Sequence, residues 1–140
     1  MKSPIRDAKD LLDLSETKER GRSLAKLVRS VQGALTPDLL KKEYREENIE
    51  NPMYGHCYAA SEALYHLAKG SGFKPCRGRD ERGIVHWWLV DDQGNILDPT
   101  AEQYTSKGRT PPYAKGKKAG FLTLEPSKRA ETIMRRIAKK

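Results

Sequence analysis

Residues 84–98 read Ile84-Val85-His86-Trp87-Trp88-Leu89-Val90-Asp91-Asp92-Gln93-Gly94-Asn95-Ile96-Leu97-Asp98. Apart from one histidine, residues 84–90 are β-branched, aromatic or aliphatic, which predicts a strand. Asp91-Asp92-Gln93-Gly94 is turn chemistry, and Asn95–Asp98 is the returning strand, stopped by Pro99. If the loop is Asp92-Gln93-Gly94, with Gly94 left-handed, Asp91 faces Asn95 and Asp98 lies opposite Trp88. His86 shares a strand face with Trp88, so His86 and Asp98 become diagonal neighbours. Such neighbours are about 7–8 Å apart at the backbone, within reach of a side-chain contact. A loop one residue longer would put them on opposite faces.

Upstream, the period changes. Gly55-His56-Cys57-Tyr58-Ala59-Ala60 opens the most apolar run of the chain. A helix is predicted from Gly55 or His56 to Lys69, with Ala60, Ala63, Leu64 and Leu67 on one side together with Cys57. Gly70 is its expected left-handed stop. Phe73–Arg79 reads as a further strand. Residues 4–32 read as helical, in one or two pieces, with Leu24, Leu27, Val28 and Val31 as one apolar stripe. Thr36-Pro37 starts a second helix running to about Arg45, and Glu46–Pro52 reads as a polar loop. Residues 101–120 read as a short helix or loop and then an irregular Pro/Gly/Lys segment. Ser127 caps a last basic helix to Lys140. Helices first and a small antiparallel sheet after make an α+β arrangement.

The chain has 140 residues, 36% of them hydrophobic and 33% charged. That fits a single domain, 1–140, with a modest core: a helical part (1–50), a central part (51–106) and a basic C-terminal part (107–140). No stretch is long and apolar enough for a membrane span. The charged N-terminus does not read as a secretory signal, so a cytoplasmic location is expected. Two cysteines, Cys57 and Cys76, do not make a disulfide scaffold there. The net charge of +8 is concentrated: residues 107–140 hold eleven Lys and Arg against Glu125 and Glu131. Such a segment suits an acidic or phosphate-bearing partner, or is a solvated helix face.

Cys57, His86 and Asp98 are the residue types of nucleophilic acyl chemistry, and each location has a use. A thiol in the first turn of a helix meets the positive end of the macrodipole and free backbone donors. A nearby imidazole forms the ion pair and protonates the leaving group. A carboxylate on its far nitrogen fixes tautomer and ring orientation. An oxyanion hole would need the Cys57 N–H and a second donor, for which Asn51 and Tyr54 are the nearest candidates. Trp88 lies beside the catalytic pair, where it would screen it from water or line the substrate channel, whereas Trp87 is expected in the core. Tyr104 either packs back on the site or is ordinary packing. His56 reads as a supporting residue or helix-start chemistry, His66 as a surface or core-edge residue, and Cys76 as half-buried. A zinc site on Cys57, Cys76, His56 or His86 lacks the paired, closely spaced ligands of structural zinc.

Gly55-x-Cys57 opening a helix, His86-x-Trp88 in a strand and Asp98-Pro99-Thr100 ending the next strand resemble the transglutaminase-like branch of the papain-like cysteine enzymes. The match spans residues 51–100, a little over a third of the chain. It implies a papain-like core with N-terminal helices on a small antiparallel sheet. It also implies Cys57 as nucleophile, His86 as base and Asp98 as orienter, with no cofactor. The expected function is acyl chemistry on a protein or peptide-like amide, as peptidase, deamidase or transglutaminase-type transfer. The C-terminal stretch PPYAKGKKAGFLTLEPSKRA resembles small phage-encoded proteins. The chain is shorter than typical transglutaminases and has no calcium-type acidic loop, so substrate class does not carry over. The competing expectation is a non-catalytic basic module with a papain-like shell, binding nucleic acid, a nucleotide or an acidic host protein.

Overall fold

The structure, a computed structural model, describes residues 18–51, 55–70 and 72–138. Among these it is a mixed α+β fold with five α-helices and a four-stranded antiparallel sheet. We number the helices α1 (Lys18–Gly33), α2 (Lys42–Glu50), α3 (Cys57–Leu67), α4 (Glu102–Thr105) and α5 (Lys128–Ala138). The strands are β1 (Lys74–Arg79), β2 (Val85–Val90), β3 (Ile96–Leu97) and β4 (Lys117–Lys118), in sheet order β3-β2-β1-β4. None of the helices is long and apolar enough to cross a membrane among the described residues.

The sheet divides the interior in two because β2 is buried on both faces. Leu89 and Leu97 face the main core, built by α1 (Leu24, Ala25, Val28, Val31), α3 (Ala59, Ala60, Ala63, Leu64) and α5 (Ala130, Ile133). Trp88, Cys76 and Ile96 form a second cluster on the other face, with Tyr113 packed against them. The chain after α4 closes that face like a strap. Its 3₁₀ turn, Tyr113–Lys115, leads into β4, which pairs with β1. Two glycines admit this close approach: a Cβ at Gly116 would stand 2.4 Å from Trp88 Cζ2, and one at Gly78 2.9 Å from the Pro112 carbonyl.

The hairpin between β2 and β3 has the register set by its turn. Leu89 pairs with Leu97 and Val90 with Ile96. Gly94 is left-handed at φ +81°, and the Asp91 carboxylate accepts the Gln93 and Asn95 N–H groups at 3.0 and 2.9 Å. Continuing the ladder puts Asp98 opposite Trp88.

Three segments differ from their sequence reading. The helix predicted from Thr36 is split. Pro37–Leu39 is a single 3₁₀ turn, and Leu40 is extended. Both Leu39 and Leu40 are buried, and the extended Leu40 turns the chain before α2 begins. Second, residues 46–50, read as loop, belong to α2, which has no apolar face and whose only buried described side chain is Asn48. Third, the Lys-Lys dipeptide of the segment read as irregular is β4. The start of the chain, through residue 17, lies outside the described residues.

The basic C-terminal part is not one solvated face. Arg136 donates to the Ala34 carbonyl (2.9 Å) and Thr36 Oγ1 (2.7 Å) and pairs with Asp38 at 2.9 Å. Ser127 caps α5, its Oγ accepting the Ala130 N–H at 3.3 Å. The fully buried Glu62 of α3 accepts both the Ser127 N–H (2.9 Å) and hydroxyl (2.6 Å). Ser127→Ala removes the cap and one donor to a buried carboxylate. It is expected to cost about 2 kcal/mol of stability in urea unfolding; a cost under about 0.5 kcal/mol would show that this clamp does not hold α5.

Candidate active site

Gly55 begins the site. Its φ of +85° makes the sharp turn into α3, and a Cβ there would stand 2.9 Å from Leu40 Cδ2. Cys57 therefore occupies the first position of α3. His56, the N-cap residue, makes no side-chain capping bond, which leaves the first-turn N–H groups uncapped by it. The half-buried Cys57 donates its thiol weakly to the Val85 carbonyl at 3.8 Å, at the start of β2. Ser61, one turn on, donates to the Trp87 carbonyl at 3.1 Å. Helix α3 is thus laid along the strand that carries His86.

His86 Nε2 and Asp98 Oδ2 are 2.6 Å apart, and neither side chain has any exposure. Asp98 accepts three further contacts: the Thr100 N–H (3.0 Å), the Thr100 hydroxyl (3.4 Å) and the Tyr113 hydroxyl (2.8 Å). Trp88 stacks on the imidazole at 5.6 Å between centroids, and the Tyr104 ring meets it edge-on at 4.9 Å. Burial alone would favour a neutral ring. The Asp98 carboxylate, by charge and by hydrogen bond, and the neighbouring Cys57 thiol outweigh it and push His86 up to about 10. With Nε2 held by Asp98, Nδ1 is the nitrogen left for the sulfur.

Gln103 shares that nitrogen. Its side-chain amide lies 2.9 Å from Nδ1 and 3.3 Å from Thr100 Oγ1. An amide donates to a neutral ring through its N–H and accepts from an imidazolium through its carbonyl, so Gln103 suits both protonation states. Asn51 donates to the Gln103 backbone carbonyl at 2.7 Å. Asn51, expected as an oxyanion donor, therefore spends its amide N–H on holding Gln103. Tyr54 lies outside the described residues. A cleft of about 250 Å³ opens on this side, lined by Glu47, Asn51, Asp80, Arg82, Gln103 and Tyr104 among others.

Gln103 and Tyr113 are the site residues that sequence reasoning missed. Gln103 had a local clue, since a helix starting just after Asp-Pro-Thr turns its first residues back toward the strand ends. Tyr113 had none. Tyr104 does pack on the site, and its hydroxyl reaches Asp80 at 2.8 Å. Trp87 lies on the opposite face, against Tyr58 (4.9 Å) and Phe121 (5.5 Å). Cys76, read as half-buried, is buried against Trp88; desolvation pushes its thiol up. Among the described residues, no three His, Cys, Asp or Glu side chains gather as a metal-holding group.

His56 is buried at 1% exposure, and neither ring nitrogen has a hydrogen-bond partner among the described residues. Burial first, and Arg129 second, lower it to about 4, with Asp38 opposing. Unfolded, the ring takes a proton below about 6.5. Between these values the unfolded state binds more protons, so stability falls as pH falls. Wild type is expected to lose about 2–3 kcal/mol more than His56→Leu in urea unfolding between pH 7 and pH 4.5. Parallel losses in the two proteins would exclude His56 as the cause. His86 acts in the opposite window: its contribution is whole below about 6.5 and is lost as pH rises through about 10.

Comparison with protein families, with curated proteins and with solved structures finds no match for this chain.

Proposed function

We propose that the protein carries out cysteine-dependent acyl chemistry on an amide, with Cys57 as nucleophile, His86 as acid–base and Asp98 as orienter. The observation that carries the reading is the buried 2.6 Å His86–Asp98 pair, which has the Cys57 thiol beside its ring at a helix start. The Cys57 thiol passes its proton to His86, its sulfur attacks the amide carbonyl carbon, and the C=O electrons move onto oxygen. As the C–N bond breaks, His86 gives its proton to the departing nitrogen, leaving a thioester on Cys57. Water (peptidase or deamidase) or an amine (transfer) then attacks the thioester, losing its proton to His86. The Cys57 N–H, at the start of α3, is the donor assigned to the oxyanion. In this scheme α3 against the sheet is a papain-like core of the transglutaminase-like type. The substrate is a protein or peptide-like amide, and the setting is cytoplasmic, where both thiols stay reduced.

The two thiols supply the test. Iodoacetamide at neutral pH is expected to label the half-buried Cys57 well before the buried Cys76, by about tenfold or more in rate. His86→Ala is expected to remove most of that difference. Equal, slow labelling of both thiols in the native protein would sink the reading.

The alternative is a non-catalytic basic module that binds an acidic or phosphate-bearing partner. It is supported by cations at 107–140 outside the Arg136 cluster, and it requires binding that survives Cys57→Ala.

A further inference from the structure

The cations of this chain are unevenly compensated. Arg82 pairs with Glu47, Lys118 with Asp92 and Arg136 with Asp38. Arg77, Arg79, Lys115 and Lys117 have no ion pair among the described residues, yet all four line one cleft of about 350 Å³ with no carboxylate in its wall. Two of the four come from β1 and two from the strap, which lie far apart in sequence. The register aggravates the crowding, because Arg77 stands directly opposite Lys117. Like charges directly opposite across a ladder are unfavourable, so folding alone gives no reason to place them there.

The two arginines are also held in place. The Arg77 guanidinium lies over the Trp87 ring at 5.7 Å, and Arg79 Nη1 donates to the Gly83 carbonyl at 2.9 Å. Both head groups therefore keep donors for a carboxylate while their positions are restrained, which lowers the ordering cost of binding. The last wall residue that matters is Val85, whose carbonyl accepts the Cys57 thiol. The cleft and the candidate nucleophile are thus on either side of one residue.

The geometry points to an acidic polypeptide segment as the occupant of this cleft, bound through Arg77, Arg79, Lys115 and Lys117 with the amide to be cut or transferred lying beyond Val85. This deepens the proposed function and rests on it for the chemistry, though not for the binding. A single nucleic-acid strand would want exposed aromatic rings for base stacking. The cleft wall has no aromatic residue, and Trp87, over which Arg77 lies, is buried, as is Trp88 behind Gly78. Acidic side chains need only the forks and ammonium groups that are there.

The test uses the full chain carrying Cys57→Ala, so that binding is read without turnover. Fluorescence anisotropy follows a labelled Glu/Gly-alternating peptide, a Ser/Gly peptide of equal length and a single-stranded oligonucleotide, at about 50 mM and about 300 mM salt. The acidic peptide is expected to bind roughly tenfold or more tightly than the neutral one, and less so at high salt. Arg79→Glu with Lys117→Glu is expected to remove that preference; Lys115→Glu alone is expected to weaken it severalfold, and Lys128→Glu, outside the cleft, to leave it within about twofold. Thermal unfolding of each variant checks that the fold persists; should the double variant unfold, Lys115→Glu against Lys128→Glu decides. The inference is overturned if acidic and neutral peptides bind alike, if Lys128→Glu weakens binding as much as the cleft variants, or if the oligonucleotide binds more tightly than the acidic peptide. Binding with no thioester chemistry in the Cys57 protein would sink only the enzyme reading. Thioester chemistry with no acidic preference would sink only this one.

Discussion

Cys57→Ala is expected to lower acyl turnover by about 10⁴-fold while leaving the fold intact. The size follows from the scheme, in which no other group accepts the acyl chain and the remaining donors only bind the substrate. The small structural effect follows from the setting of the side chain. Cys57 is half-buried, and its sulfur makes only a weak donation, at 3.8 Å, to the Val85 carbonyl. Losing that sulfur should change stability by no more than about 1 kcal/mol. p-Nitrophenyl acetate serves as the probe, with acetylation read by mass spectrometry and stability by thermal unfolding. An acetyl adduct on Cys57 in wild type, absent from Cys57→Ala at an unchanged melting temperature, is the expected result. Equal nitrophenol release by both proteins would exclude Cys57 as the acyl acceptor.

Asp98→Ala is expected to damage both the chemistry and the fold. Its carboxylate has no exposure and accepts from His86, the Thr100 N–H, the Thr100 hydroxyl and Tyr113. Removing it leaves a buried imidazole that has lost its counter-charge and several donors with no acceptor. Breaking a buried pair from one side costs about 3–5 kcal/mol, a large share of the roughly 5–15 kcal/mol that stabilises a domain. Asp98→Asn separates the two effects, since it keeps the shape and part of the bonding. It is expected to lose less stability but still about 10³-fold or more in acyl transfer, because an amide cannot hold the imidazolium. In an NMR titration the His86 ring should move from about 10 toward its ordinary value near 6.5. A His86 titration unchanged in Asp98→Asn would show that the carboxylate is not what holds the proton.

The legible parts of this chain were those whose determinants are close in sequence. The β2–β3 register follows from Gly94 and Asp91, which act within five residues, and it brings His86 and Asp98 to one face. Helix α3 was equally plain, because a run of alanines and leucines between Gly55 and Gly70 has one period and two stops. The hidden parts depend on contacts across long separations. Helix α2 buries one described side chain, Asn48, so no apolar stripe announces it. Strand β4 is two lysines whose pairing with β1 is decided by the glycines at 78 and 116, some forty residues apart. Tyr113 is one aromatic in an irregular segment, and only the closed strap shows that its hydroxyl belongs to Asp98. Asn51 is near Cys57 along the chain, yet in space it holds Gln103.

The strap also sets the true boundaries of the site. The recognisable motif runs from residue 51 to 100, but the groups that seal and steady it arrive later: Gln103, Tyr104, Tyr113 and the β4 segment. A fragment cut to the motif would keep cysteine, histidine and aspartate while losing the lid over their carboxylate and the amide beside their imidazole. The triad is therefore not a portable cassette. Transplanting it to another scaffold means carrying the chain as far as residue 118, with both glycines that let it lie flat against Trp88.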